Sequence, residues 1–462
     1  MAEKSAIPVE LGTEKIGTLL KQYALPAIIA QTASSLYNMV DSIFIGQGVG
    51  PLAISGLAVT FPLMNLSTAF GTLVGAGAAT MLSVLLGQKN YKAANKVLGN
   101  VVSLNVILGF LFMAVALIFI DPILYFFGAS ENTLPYAKEY IQIILYGNIV
   151  THLYFGLNAA MRSSGHPKKA MALTIFTVVF NTILDPIFIF VFDMGIAGAA
   201  WATVIAQTVA MILVMRHFSD RSRAFHFEKG IFKLDPRVAK DSLTIGMGPF
   251  LMNTAACLVT LFINQQLRDY SGDLGIGSYG ICNRFIFMFI MICMGLNQGM
   301  QPIAGYNYGA KQYSRVKEVF WMTAKLGTVV TTICFCIGMF IPRLAAGIFT
   351  HDEALLNMSA EGMRILTIGF PIVGFQMIGT NFFQCLGMVK KSIILSLSRQ
   401  LLFLLPLLYS LPFWMGANGV WMSFPISDVL SALLTAILLR RLFKKFNMLK
   451  DGEESTILGS NL

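Results

Sequence analysis

Long apolar stretches separated by short polar connections restrict the fold of this chain more than any other feature. A helix needs about 20 mostly apolar residues to cross a bilayer, and twelve stretches reach that length. Only 12% of the residues are charged, about half the usual fraction in soluble proteins, which excludes a soluble enzyme and a nucleic-acid-binding protein. We therefore predict an all-α integral membrane protein. The predicted spans are 17–45, 52–86, 97–120, 134–160, 170–192, 196–215, 242–267, 274–308, 316–348, 356–386, 392–414 and 417–440.

The 33 Lys and Arg residues are divided unevenly between the two sides of these spans. Four lie on one side and three lie within spans, which leaves 26 on the other side. Lys4 in the N-terminal segment and Lys229 in the central connection belong to this basic side. Basic connections remain in the cytoplasm. Because the number of spans is even, we expect both termini to be cytoplasmic.

The two halves of the sequence resemble each other at an offset of about 222 residues. GQKNY at 87–91 aligns with GAKQY at 309–313, and GHPKK at 165–169 aligns with GMVKK at 387–391. Each half holds six spans, so the halves are expected to form two six-helix bundles related by a parallel repeat. Transporters of this plan bind substrate between their halves and alternate access. The predicted organisation is an N-lobe at 1–215, a basic cytoplasmic linker at 216–240, a C-lobe at 241–445 and a cytoplasmic tail at 446–462.

Acidic residues inside the spans distinguish the two halves. Only Asp41, Asp185 and Asp428 lie well within them, and at the repeat offset Asp41 corresponds to Ile263 and Asp185 to Leu407. Ionisable groups inside a bilayer are costly and are functional candidates. Similar scaffolds with different chemistry therefore indicate an ion site in the first half.

The surroundings of Asp185 favour the same interpretation. Asn181 precedes it by four residues and shares its helix face. Pro186 follows and leaves a backbone carbonyl free in the preceding turn. Two carboxylates, an amide oxygen and a hydroxyl suit Na⁺, and two nearby carboxylates also suit proton carriage. The alternative is structural, with Asp41 and Asp185 capping helices or joining them by hydrogen bonds.

Asp428 in span 12 and Arg399 in span 11 lie at nearly equal depth, which predicts a buried ion pair. Arg284 also falls near the middle of the bilayer, in span 8. The Asp428–Arg399 pair either stabilises the second lobe or contacts substrate. The residues themselves leave both roles open.

Four segments in order resemble the multidrug and toxic compound extrusion (MATE) family over nearly the whole chain, in its DinF-like or a related prokaryotic branch. They are YNMVDSIFIG at 37–46, FNTILDP at 180–186, GIAGAAWAT at 195–203 and GMQPIAGYNYG at 299–309. The resemblance implies a V-shaped fold of two six-helix lobes in a prokaryotic plasma (inner) membrane. It also implies export of organic, often cationic, drugs against an inward flow of Na⁺ or H⁺.

The same resemblance implies that the cation or proton site comprises Asp41, Asn181, Asp185 and Thr203, with Na⁺ as a possible bound metal. Weaker candidates line a substrate cavity. They are Tyr37, Asn158, Met64, Arg284, Arg399 and Asp428. Acids that mark spans 7 and 10 in another branch are missing from this sequence. The expected partners are small drugs and membrane lipid, and the expected state is a monomer.

Other functions find less support in the sequence. There is no GxxxxGK[ST] phosphate loop and no HExxH motif, and the five His residues are scattered. These features disfavour ATP as a direct energy source and disfavour a metal centre. We expect no cofactor and no enzymatic activity. The alternatives are a flippase for a lipid-linked precursor, and more distantly an ion channel or a membrane enzyme.

Overall fold

In the computed structural model the described residues are 9–221, 223, 225–228, 230, 232–350 and 352–453, and they are almost entirely helical. The predicted basic residues Lys4 and Lys229 and the tail after residue 453 lie outside the described residues.

The helices of the first half run up to residue 219. They are α1 (Glu10–Thr13), α2 (Ile16–Gly48), α3 (Pro51–Gly87), α4 (Tyr91–Ile118), α5 (Ile120–Phe126), α6 (Leu134–Tyr146), α7 (Asn148–Ser163), α8 (Pro167–Pro186) and α9 (Gly195–Ser219). A π-helical turn, Ile187–Val191, continues α8.

The helices of the second half begin at residue 236. They are α10 (Pro236–Gly309), α11 (Tyr313–Phe340), α12 (Pro342–Gly347), α13 (Glu353–Thr367), α14 (Phe370–Cys385), α15 (Val389–Leu397), α16 (Leu405–Met415) and α17 (Ala417–Phe446). A second π-helical segment, Ser398–Leu404, joins α15 to α16. Gly272 interrupts α10, which therefore contains two spans, Pro236–Gly272 and Leu274–Gly309.

The helices cover all twelve predicted spans. Within the described chain, nine helices are long and apolar enough to cross a membrane, and α13 with α14, bent by 55°, makes a tenth when the two are counted as one broken span. The two remaining predicted spans, 17–45 and 134–160, are covered by α2 and by α6 with α7. The predicted all-α membrane fold is confirmed.

The backbone itself carries the predicted repeat. Four left-handed positions of the first half, where φ is positive, recur 221 or 222 residues later. The pairs are Gly50 and Gly272, Lys89 and Lys311, Gly165 and Gly387, and Gly195 and Gly416. Left-handed geometry is costly for a residue with a side chain, so its recurrence at Lys89 and Lys311 shows that the two connections share one turn type.

The chain divides into two compact units, but each of two long helices is shared between them. The first unit is built from Ile29–Phe250, and the second takes Glu14–Ile28 together with the chain from Leu251 onward. Thus the start of α2 belongs with the second-half helices, and the start of α10 belongs with the first-half helices. Pro26 and Pro249 lie next to these two divisions. A proline inside a helix removes one backbone hydrogen bond and favours a bend.

Two glycines related by the repeat allow the shared segments to pack closely. A Cβ atom on Gly77 would overlap the carbonyl of Ser242 within the first unit. A Cβ atom on Gly299 would overlap the backbone of Ala24 within the second unit. Small residues permit this close approach of helices in membranes, so Gly77 and Gly299 position the starts of α10 and α2.

Candidate functional site

Two buried carboxyl groups face each other in the first unit. Asp41 on α2 is 5% exposed, and Asp185 on α8 is fully buried. Their side chains are close enough to share a hydrogen bond. Among the described residues, no Lys or Arg acts electrostatically on either carboxyl. Because an ionised carboxylate has no hydrogen to donate, a hydrogen bond within this pair requires one proton.

A directed chain of hydrogen bonds leads to this pair from α2 and α9. The amide nitrogen of Asn181 donates to Asp185 Oδ1 at 2.8 Å. The hydroxyl of Thr203 donates to the amide oxygen of Asn181 at 3.3 Å. Tyr37 lies 2.9 Å from the same hydroxyl. Since Thr203 has one hydrogen and gives it to Asn181, Tyr37 is the donor in that contact.

Local sequence explains how α8 presents its polar face. Asn181 and Asp185 are one turn apart, so they point the same way from the helix. Pro186 has no N–H, and the chain continues as a π-helical turn in which Phe192 donates to the carbonyl of Ile187 at 3.0 Å. Such turns interrupt regular helices, often at functional sites. α8 packs along α9, which brings Thr203 to Asn181.

One oxygen of each carboxyl remains available for a bound cation. When no proton is shared within the pair, Asp41 Oδ1 and Asp185 Oδ2 are both buried without a hydrogen-bond partner among the described residues. Burying a charged group is unfavourable unless it is paired. Two free carboxylate oxygens beside neutral amide and hydroxyl oxygens fit a hard cation such as Na⁺, or a proton. No cluster of three or more His, Cys, Asp or Glu residues suited to a metal occurs in the described residues.

The four predicted coupling residues therefore lie together, and two tyrosines extend the set. Tyr37, predicted as a weaker cavity residue, is joined to Thr203. Tyr140 on α6 is 2% exposed, and both Asp41 and Asp185 act electrostatically on it. Sequence reasoning missed Tyr140. The available signal was the repeat, since the corresponding position in the second half is a glycine.

Two other predicted cavity residues of the first unit have structural contacts. Asn158 is buried, and its amide donates to the carbonyl of Ala170 at 3.1 Å, linking α7 to the first turns of α8. Met64 packs against the apolar cluster that contains Tyr140. Its sulfur lies 3.7 Å from the hydroxyl oxygen of Thr60, which donates its hydrogen to the carbonyl of Leu57.

In the second unit the predicted ion pair is confirmed as a contact. Arg399 Nε donates to Asp428 Oδ1 at 2.7 Å, and Asp428 is only 2% exposed. The backbone carbonyl of Arg399 also accepts a hydrogen bond from the hydroxyl of Ser427 at 2.7 Å. Two hydrogen bonds therefore join α17 to the π-helical segment. Arg284 is exposed on α10 and makes no ion pair with another described residue.

The sequence and the fold of this chain are similar to those of known transport proteins. A model of the MatE family matches residues 26–187 and 246–410. The multidrug export protein MepA of Staphylococcus aureus is 28% identical over 419 residues, which cover 91% of this chain and 92% of MepA. A structure of the MATE multidrug transporter DinF-BH in complex with rhodamine 6G is 36% identical, with a TM-score of 0.88, and covers 95% of this chain and 98% of that one.

A structure of a MOP superfamily transporter from Pyrococcus furiosus has the same fold. Its TM-score is 0.90 at 22% identity, and the match covers 96% of this chain and all of that one. These relatives are named as exporters and transporters, and none is named as an enzyme. The family match spans both halves, and the likeness to DinF-BH extends over nearly the whole chain. The chain therefore belongs to the MatE family of membrane transporters.

Proposed function

We propose that this protein exports organic, often cationic, compounds in exchange for Na⁺ or H⁺ and works by alternating access. Support for the substrate class comes from relatives, since MepA is named a multidrug export protein and DinF-BH was solved with a rhodamine dye. The uneven distribution of basic residues supports cytoplasmic termini, and the staphylococcal relative supports a prokaryotic plasma membrane. A monomer with an N-lobe, a linker and a C-lobe remains part of this proposal.

The observation that carries the proposal is the Asp41–Asp185 pair with one free oxygen on each carboxyl. When both groups are ionised and empty, they repel each other across α2 and α8. A proton or Na⁺ between them removes that repulsion and allows the two helices to pack. The same pair of side chains thus converts ion occupancy into a change in helix packing.

Coupling requires that the two packings differ in their affinity for the exported compound. We propose that ion occupancy at Asp41 and Asp185 lowers that affinity, so that the compound leaves on the outer side. By thermodynamic reciprocity, the compound must then weaken ion binding by the same factor. Tyr37, Asn158, Met64, Arg284, Arg399 and Asp428 are the proposed candidates for contact with the compound.

Efflux from vesicles tests this proposal. The chain is reconstituted into vesicles loaded with the rhodamine dye, and a Na⁺ gradient or a pH gradient is imposed separately. We expect one gradient to drive efflux in the wild type and expect Asp41→Asn and Asp185→Asn to abolish it. Asp121→Asn is the control, because Asp121 is a half-exposed acid of the same unit that pairs with Lys138 at 2.9 Å.

The pattern across variants decides the outcome. If Asp41→Asn and Asp185→Asn pump as fast as the wild type, the carboxyls are structural and the coupling proposal fails. If Asp121→Asn loses efflux equally, the effect is not specific to the buried pair. The gradient that drives wild-type efflux identifies the coupling ion.

A further inference from the structure

A group of basic side chains gathers where α8 begins and α9 ends, away from the carboxyl pair. The rings of His166 and His217 meet edge to face with their centroids 4.8 Å apart. Lys169 and Arg223 act electrostatically on both rings. Asp220, which pairs with Arg223 at 3.2 Å, is the only acid acting on this group among the described residues. We call His166, Lys169, His217 and Arg223 the basic cluster.

The basic cluster has more positive charge than Asp220 can neutralise. Lys169 and Arg223 repel each other, and Asp220 supplies a single carboxylate for both. The Nδ1 atom of His166 is buried without a completed hydrogen bond, although the backbone of Ser164 lies near the ring. Like charges held together destabilise a fold unless a counter-charge accompanies them. A bound anion would neutralise the positive charge that Asp220 leaves unpaired in the basic cluster.

The backbone at this position adds to the attraction for anions. α8 begins at Pro167, and the first N–H groups of a helix carry partial positive charge. Gly165 has φ 94°, and the N–H of His166 donates to the carbonyl of Met161 at 3.1 Å, so the turn is well defined. α8 and α9 both reach the membrane surface here because their apolar spans end at residues 167 and 219.

The second half shows that the scaffold does not need the two histidines of this cluster. At the repeat offset His166 corresponds to Met388, and Lys169 corresponds to Lys391. Lys391 lies over the ring of Phe383, with its nitrogen 5.5 Å from the ring centroid. The same turn therefore forms in the second half without a histidine. The two histidines are specific to the first half, whereas Arg223 corresponds at the repeat offset to Lys445, which acts electrostatically on Lys391.

We propose that the basic cluster binds a phosphate group, either in the headgroup of an anionic phospholipid or as free inorganic phosphate. Lys169 and Arg223 supply charge-assisted hydrogen bonds, and the two rings donate from their N–H groups. Basic pockets between helices at a membrane surface suit anionic headgroups. This site is separate from the proposed transport chemistry, so it can be tested without any gradient.

Native mass spectrometry of the purified full chain in detergent tests the site. The protein is titrated with dioleoyl phosphatidylglycerol, with dioleoyl phosphatidylcholine and with inorganic phosphate. We expect phosphatidylglycerol to bind more tightly than phosphatidylcholine, and expect Lys169→Gln to weaken it about five-fold. His166→Met, which copies the second half, and Arg223→Gln should weaken it in the same direction. Lys391→Gln is the matched control and should leave binding unchanged.

Each result bears on the proposal. Displacement of phosphatidylglycerol by millimolar phosphate supports the site with free phosphate as its ligand, whereas no displacement supports it with the lipid headgroup. The proposal fails if Lys169→Gln, His166→Met and Arg223→Gln all bind phosphatidylglycerol as the wild type does. It also fails if Lys391→Gln loses as much as Lys169→Gln, because a general surface attraction then explains the binding. Thermal unfolding of each variant identifies any that does not fold, and the other two then decide.

Discussion

The Arg399–Asp428 pair leads to an asymmetric expectation for stability. Arg399→Gln leaves the carboxyl of Asp428, which is 2% exposed, without its cation. A carboxyl with an ordinary pKa near 3.9 needs about 4 kcal/mol to be protonated at pH 7, and breaking a buried ion pair costs about 3–5 kcal/mol. We therefore expect Arg399→Gln to lower the free energy of unfolding by about 3–4 kcal/mol.

Asp428→Asn should cost less, although it breaks the same contact. The side chain of Arg399 is 26% exposed and long, so its guanidinium can turn toward the polar membrane surface when the carboxylate is removed. The expected loss is about 1–2 kcal/mol, that of a charged hydrogen bond with one solvated partner. The double variant Arg399→Gln/Asp428→Asn removes the isolated buried charge and should be more stable than Arg399→Gln alone.

Reversible unfolding of the purified variants in mixed micelles measures these differences. Arg343→Gln provides the control, because Arg343 and Glu353 also pair at 2.9 Å but are 58% and 75% exposed. Exposed pairs contribute about 0–1 kcal/mol. Equal losses for Arg399→Gln and Asp428→Asn would refute the reasoning from burial. So would a loss for Arg343→Gln as large as that for Arg399→Gln.

Three further outcomes are expected. Gly299→Ala should destabilise the protein by about 1–3 kcal/mol, because the added Cβ overlaps α2. The control is Gly280→Ala on the same helix, where an added Cβ meets nothing within 4 Å, and it should leave thermal unfolding unchanged. Burial, with neighbouring cations, lowers the pKa of His166 from 6.5 to about 4. The contribution of neutral His166 to the free energy of unfolding is therefore fully present above about pH 6.5 and is lost as the pH drops toward 4. Melting curves of His166→Gln should show a smaller loss of stability over this range. Tyr37→Phe removes the donor to Thr203 and should slow gradient-driven dye efflux while leaving the melting temperature nearly unchanged.

The carboxyl site could be predicted from residue type and spacing alone. Acids are costly inside a bilayer, and Asp41 and Asp185 have no acidic counterparts in the second half. This difference between the halves identified them as candidates. Asn181 followed from the helical period. Thr203 was carried over from the family resemblance, and its hydrogen bond to Asn181 agrees with that assignment.

The tyrosines could not be placed in this way because their role depends on how neighbouring helices pack. Tyr37 shares α2 with Asp41, but nothing in the spacing shows that its hydroxyl reaches α9. Tyr140 lies on α6, on a helix with an ordinary apolar pattern. An aromatic residue in such a pattern is normally part of the core, and only the structure shows its position beside both carboxyls.

The division of α2 between the two units also imposes an order on biosynthesis. Residues 14–28 leave the ribosome early, yet they pack against much later residues, with Ile28 beside Gly295 and the carbonyl of Glu14 bound by Arg315 at 2.6 Å. At about 5–20 residues per second, those partners follow roughly 15–60 seconds later. During that interval the start of the first helix lacks the second-unit residues against which it packs. This segment therefore waits for the second unit to be synthesised before it can pack.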